Sequence, residues 1–110
     1  MTGHQYDIGY GIPQDIEAIA GFQVAMAMET ERYALDPSTV LKGVSHMFAE
    51  PDRGFYIVAR TTAGIPAASL LVLKEWSDWR NTDVWWIHSV YVAPEHRRRG
   101  LFRRMFAHVQ

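Results

Sequence analysis

The residues best equipped for chemistry stand close together near the end of the chain. In "VYVAPEHRRRGLF", Val90 to Phe102, a run of strand formers reaches a proline, then Arg97, Arg98, Arg99 and Gly100, and the spacing that follows is helical. A helix start presents unpaired N–H groups and the positive end of the helix dipole, which attract a phosphate without any particular side chain. Gly100 has no Cβ to keep a bulky ligand off the backbone, and arginines can grip phosphate oxygens bidentately. No GxxxxGK[ST] or GxGxxG pattern is present, so the common mononucleotide and dinucleotide loops are not matched. Two other readings compete with a phosphate turn: a basic patch for nucleic acid, and a solvated helix start. Residues 1–95 hold all twelve acids and only six of the lysines and arginines, whereas Arg97, Arg98, Arg99, Arg103 and Arg104 follow with no acid among them. Positions 99, 103 and 104 can share one helix face. Yet no aromatic stacking platform is interleaved and the rest of the chain is acidic, which argues against nucleic acid.

Other reactive side chains are scattered. The five histidines show no HExxH or similar spacing, so no metal site is expected, and the serines stand in no nucleophile-elbow context. The absence of Cys excludes disulfides, thiolate nucleophiles and cysteine-bound metals. Glu29 and Glu31 fall near the end of a predicted helix, where acids oppose the dipole. They are read either as solvated surface acids or as a grip for a cationic amine. All four tryptophans, Trp76, Trp79, Trp85 and Trp86, lie in "KEWSDWRNTDVWW". They either close a small core or form an aromatic wall for a ligand or a dimer. His88, in "WIHSVYV", is either a structural histidine packed beside Trp86 or a general base, since an ordinary imidazole pKa of ~6.5 suits that task near neutral pH.

The elements that must position these residues read clearly. With 110 residues and 48% hydrophobic content, the chain is one globular domain. No apolar run approaches the ~18 residues of a membrane helix, and the N-terminus lacks a secretory signature, so a cytoplasmic protein without membrane attachment is expected. Residues 5–10 suggest a short edge strand. "IPQDIEAIAGFQVAMAME" predicts a helix with Pro13 at its first position and Asp15 at its positive end. "DPSTVLKGVSHMF" predicts a second, with Asp36 as N-cap and Val40, Leu41, Val44, Met47 and Phe48 as its apolar face. "GFYIVAR" and "IPAASLLVLKEW" read as a hairpin, "VWWIHSVYV" as a further strand, and "RRRGLFRRMFAHV" as a last helix. The order is β-α-α-β-β-β-α, an α+β arrangement with helices packed on a mostly antiparallel sheet.

At "VYVAPEHRRRGLFRRMF" the chain resembles the acetyl-CoA-binding motif of the GNAT superfamily of N-acetyltransferases, a "YV.P..R" strand end followed by R/Q-x-x-G-x-G/A opening a helix. The upstream element order and the opening "YDIGYGIPQDIEAI" resemble the family as well, so the likeness covers residues 1–110. It implies that the amides of Arg97, Arg98, Arg99, Gly100, Leu101 and Phe102 hold the pyrophosphate of acetyl-CoA. The backbone of Val90, Tyr91 and Val92 would then pair with the pantetheine arm. It implies direct attack of a small-molecule or peptide amine on the thioester, with His88 where many members carry a Glu base. Glu29, Glu31, Trp76 and Trp86 would border the acceptor. The last small position of the motif is Phe102 here. The strands and helix that the family usually adds after this point, including a later Tyr that protonates the leaving thiolate, have no counterpart before Gln110. The resemblance therefore implies a partial acetyltransferase domain. A non-catalytic dimerisation or CoA-binding module is the alternative. An exposed, aromatic-rich strand at 84–92 leads us to expect a homodimer that covers it.

Overall fold

The structure, a computed structural model, describes residues 5–110; His4 lies outside them. The elements are β1 (Tyr6–Tyr10), α1 (Ile16–Glu31), α2 (Pro37–Ala49), β2 (Gly54–Thr61), β3 (Pro66–Ser77), β4 (Thr82–Val92) and α3 (Leu101–Val109), with 3-10 turns at Pro13–Asp15 and Pro94–His96. The β-α-α-β-β-β-α order is the expected one. The four strands form one sheet in the order β1-β2-β3-β4, and every neighbouring pair is antiparallel.

The central strands explain the two-sided core. Ile57 and Val58 are adjacent on β2 and both fully buried, as are the adjacent Ser69 and Leu70 on β3, followed by Val72. A strand buried on both faces reads as a continuous apolar run, and "FYIVA" and "SLLVL" do. On one face Tyr56, Val58 and Leu71 meet Ile19, Ala20 and Val44 of α1 and α2. On the other, Ile57, Leu70 and Val72 meet Leu101 and Met105 of α3. β4 is an edge strand and less covered: only Tyr91 of its residues is buried.

Local chemistry fixes the helix starts. Asp36 caps α2 as the sequence predicts, its Oδ2 accepting from the Thr39 amide at 3.1 Å and the Thr39 hydroxyl at 2.6 Å, with Pro37 following. The start of α1 differs from expectation. Residues 13–15 make a 3-10 turn, and α1 begins only at Ile16. Asp15 is 3% exposed and does more than favour a dipole. Its carboxylate accepts from the Ile12 amide at 2.8 Å and pairs with Arg60 of β2. Arg60 also donates to the Tyr10 carbonyl at 3.3 Å, tying β1, β2 and the α1 entry together. A buried carboxylate needs such a partner to remain charged. Leu41, expected on the apolar face of α2, is instead 38% exposed.

Candidate acetyl-CoA and acceptor site

The turn between β4 and α3 has an unusual backbone. Arg97 is extended (φ −74°, ψ 160°), Arg98 is left-handed (φ 65°), and Gly100 is left-handed again (φ 74°, ψ 20°) immediately before α3. The first helical bond runs from the Arg104 amide to the Gly100 carbonyl at 3.1 Å. The amides of Leu101, Phe102 and Arg103 thus have no intrahelical acceptor, and no side chain caps α3. Successive outward N–H groups in such a turn form an anion-binding hollow. A concavity of about 380 Å³ lies there, lined by Val92, Arg97, Arg98, Gly100, Phe102 and Arg103 among others. The three arginines thus lie in the turn before α3, which begins at Leu101, about one helical turn later than the sequence suggested. Tyr6 and His96 share a hydrogen bond of 2.7 Å (Tyr6 hydroxyl to Nδ1), and Arg104 donates to the Tyr6 carbonyl at 3.1 Å, so the turn is anchored on β1.

β4 leads into this turn through a bulge that the sequence does not announce. Ser69 of β3 is opposite Tyr91 and Leu71 is opposite His88, so two steps on β3 match three on β4. The extra residue is accommodated at Ser89, which is left-handed at φ 53°. Unbroken alternation would put His88, Val90 and Val92 on one face. The bulge instead turns His88 and Tyr91 toward the α1–α2 side, while Ile87, Val90 and Val92 pack on the α3 cluster. The Ala93 amide donates to the Ala67 carbonyl at 2.9 Å. By antiparallel alternation, the backbone of Tyr91 is then directed at β3, and that of Val90 and Val92 at the free edge. Of the three residues expected to offer backbone to a ligand, Val90 and Val92 are therefore the ones facing outward. A second concavity of about 400 Å³ follows this edge, between Met26, Glu29 and Thr30 of α1 and Val90, Tyr91 and Val92. It shares Val92 and Arg97 with the turn.

Further along β4, His88 and Trp86 line an open groove of about 480 Å³ with Met47, Arg53, Leu73 and Glu75. His88 and Val92 are four steps apart on the strand, a span of roughly 13 Å at ~3.3 Å per residue. The groove thus lies along the same strand as the turn, at the far end of the edge channel. Trp86 faces Leu73 across the strands, on the α1–α2 side. Trp76 does not join it. On β3 it is in phase with Leu70 and Val72, which pack toward α3, so the two tryptophans expected on one acceptor wall stand on opposite faces of the sheet. Trp85 is also on the α3 side, edge-on to Phe55 with centroids 5.5 Å apart.

The two acids separate in a similar way. Glu31 is exposed at the end of α1 and lines none of these hollows. Glu29 points to β4 and the turn: Tyr91 donates its hydroxyl to Oε2 at 2.5 Å, and Arg97 Nη2 donates to Oε1 at 2.7 Å. The Tyr91 hydrogen bond and then Arg97 hold the Glu29 carboxyl below its ordinary range, while burial and then Glu29 push the Tyr91 phenol up. Sequence reading missed Arg53, which lines the His88 groove just before β2, and Ser89. Neither had a local signal: Arg53 sits in a polar turn, and Ser89 is an ordinary strand residue. Among the described residues no group of three or more His, Asp or Glu side chains could hold a metal, and no helix is long and apolar enough to cross a membrane.

A hollow at a helix start, adjoining a strand edge, and a groove holding an imidazole further along the same strand belong to a fold that known families share. The sequence profile of the acetyltransferase (GNAT) family matches residues 21–110. The chain belongs to that family. A possible acetyltransferase from Clostridium difficile 630 is similar at 35% identity and a TM-score of 0.89, over 96% of this chain and 68% of its own. A predicted acetyltransferase with acetyl-CoA from Clostridium acetobutylicum superposes at a TM-score of 0.75 and 12% identity, over 94% of this chain and 70% of its own. The ribosomal-protein-alanine N-acetyltransferase of Brucella melitensis biovar Abortus 2308 does so at 0.76 and 14%, over 96% and 70%. These last two likenesses concern the fold alone. No curated protein sequence matches the chain.

Proposed function

We propose that the chain is an acetyl-CoA-dependent N-acetyltransferase that passes the acetyl group directly to a primary amine. The observation that carries this is the continuity of the site: free amides at 101–103, the outward backbone of Val90 and Val92, and His88 succeed one another along one strand and its turn. The pyrophosphate of acetyl-CoA rests on the turn, with Arg98 and Arg103 beside it, and the pantetheine arm follows the β4 edge. The thioester then arrives near His88. An alkylammonium with a pKa near ~10.4 is not nucleophilic, so the acceptor must lose a proton before attack. His88 takes that proton, directly or through a water. The amine nitrogen bonds to the thioester carbonyl carbon, the C–S bond breaks, and CoA leaves as thiolate. Trp86 and Met47 flank the acceptor, and Arg53 and Glu75 set its charge preference.

We read residues 1–110 as a single, partial acetyltransferase domain acting in the cytoplasm, with acetyl-CoA as co-substrate and an amine as partner. A specific feature supports self-association: β4 is an edge strand whose Trp85 and Trp86 are half exposed. Such an edge pairs readily. We read its first segment, around Trp85 and ahead of the Val90–Val92 stretch assigned to pantetheine, as a homodimer contact, and light scattering at micromolar concentration checks this, a monomer overturning it.

The test of function is CoA release with a panel of amines. Acetyl-CoA at 100 times Kd should stabilise the fold by ~2.7 kcal/mol and raise Tm by more than ~10 °C in a domain this small. His88→Ala should keep that shift and lose about 10²-fold or more in kcat, the range of general-base catalysis. No thermal shift at millimolar acetyl-CoA would reject the cofactor assignment. A shift without turnover by any amine would favour a CoA-binding module.

A further inference from the structure

Arg97 opens the turn read above as the anion site, yet its side chain, though 43% exposed, is spent on contacts within the protein. Its Nε donates to the Val92 carbonyl at 2.8 Å, its Nη2 to Glu29 at 2.7 Å, and its guanidinium carbon stands 5.3 Å from the centre of the Tyr91 ring. The first contact closes the loop from the last residue of β4 to the first of the turn. The second ties that loop to the last turn of α1. Tyr91 completes the bridge by donating to the other oxygen of Glu29, and its ring packs on Phe22 of α1 at 5.4 Å. One carboxylate thus joins three elements: α1, β4 and the turn. It also resolves an apparent misplacement, because an acid near a helix C-terminus opposes the dipole and calls for a compensating cation. The depressed Glu29 carboxyl agrees with that role.

We propose that Glu29 and Tyr91 are positioning residues. They hold Arg97 on the protein side of the turn, so that the backbone amides, Arg98 and Arg103 meet the ligand anion and Arg97 does not. This rests on the reading of the turn as a CoA pyrophosphate site. The rival arrangement has Arg97 swing away from Glu29 to grip the phosphates itself. The two arrangements differ in sign. If Arg97 is pinned to shape the turn, loss of Glu29 loosens the turn and weakens CoA. If Arg97 grips, loss of Glu29 frees it and strengthens CoA.

The experiment titrates CoA into the wild-type chain, Glu29→Gln, Arg97→Gln, the double variant and Tyr91→Phe by calorimetry, with circular dichroism confirming the fold of each. Glu29→Asp serves as a second variant should Glu29→Gln fail to fold. We expect Glu29→Gln and Arg97→Gln each to raise Kd by about three- to fivefold, with the double variant no worse than the poorer single. Tyr91→Phe should raise it about twofold. Steady-state acetyl-CoA kinetics should show the loss in KM with kcat unchanged. Equal or tighter CoA binding by Glu29→Gln, additive losses in the double variant, or a far larger loss for Arg97→Gln would overturn the proposal. Absence of CoA binding by the wild-type chain would instead reject the pyrophosphate reading on which it rests.

Discussion

Two glycines allow the ligand role of the turn to be separated from its backbone strain. Gly100 at φ 74° and Gly64 at φ 84° are both left-handed, and a Cβ added to either would meet no atom within 4 Å. Gly64 lies in the β2–β3 turn, where its amide donates to the Thr61 carbonyl at 2.8 Å, well away from the anion hollow. Alanine at either position therefore meets no steric clash, only the left-handed penalty of ~1–2 kcal/mol. Each kcal/mol lowers Tm by roughly 4–8 °C at this size. Gly64→Ala and Gly100→Ala should consequently melt lower by similar amounts without ligand. With acetyl-CoA at 100 times the wild-type Kd, Gly64→Ala should recover the full gain of ~2.7 kcal/mol. Gly100→Ala should recover little of it, because its methyl group stands where the phosphate must approach the amides. Paired differential scanning fluorimetry with and without acetyl-CoA reads both effects. An equal ligand-induced shift in the two variants would refute the turn as the anion surface. A large difference between them without ligand would refute the strain argument.

Other consequences can be tested with the same protein. Gly54→Ala would set a Cβ 2.1 Å from the backbone carbonyl oxygen of Val72, which cannot yield without breaking the β2–β3 ladder, so a loss of about 3 kcal/mol or more is expected in urea unfolding. The carboxyls of Glu29, Asp36 and Glu50 are all held below their ordinary values, chiefly by hydrogen bonds from Tyr91, Thr39 and Arg53 respectively. A depressed folded-state pKa contributes stability that is present above the unfolded value and lost as pH falls through the folded one. Urea midpoints should therefore fall progressively below about pH 4.5, and a midpoint flat down to pH 2 would count against these contacts. Burial pushes the Tyr56 phenol up, as it does that of Tyr91. For these groups stability is fully present below pH ~10 and is lost at higher pH. Tyr56→Phe should reduce that alkaline loss.

The elements were legible because each has a local cause. Asp36 with Pro37 announces α2, and the runs "FYIVA" and "SLLVL" announce strands buried on both faces, while α3 was legible as a helix but begins one turn later than its first arginine. The turn between β4 and α3 was legible for the same reason, since a strand, a glycine and a helix are consecutive. What escaped was set by register and by distance along the chain. The bulge at Ser89 leaves no mark in a stretch that alternates plausibly either way, so the side of the sheet taken by Val90, Tyr91 and Val92 could not be read. Trp76 was grouped with Trp86 by nearness in sequence, but strand phase separates them. The task of Glu29 depends on partners 62 and 68 residues away. The entry to α1 shifted because Asp15 found Arg60, a partner on another strand.

The bulge at Ser89 also divides β4 into two independent reading frames. Before it, Trp86 and His88 present their side chains to one groove in one phase, and after it Val90 and Val92 present their backbone to the edge channel in another. A change in the first segment, Thr82 to His88, leaves the facing of Val90 and Val92 intact, because the left-handed residue between them resets the alternation. The strand therefore behaves as two cassettes joined at a hinge of fixed geometry. On the proposed function, grafting the segment ahead of Ser89 should change acceptor preference without altering acetyl-CoA binding at the other end.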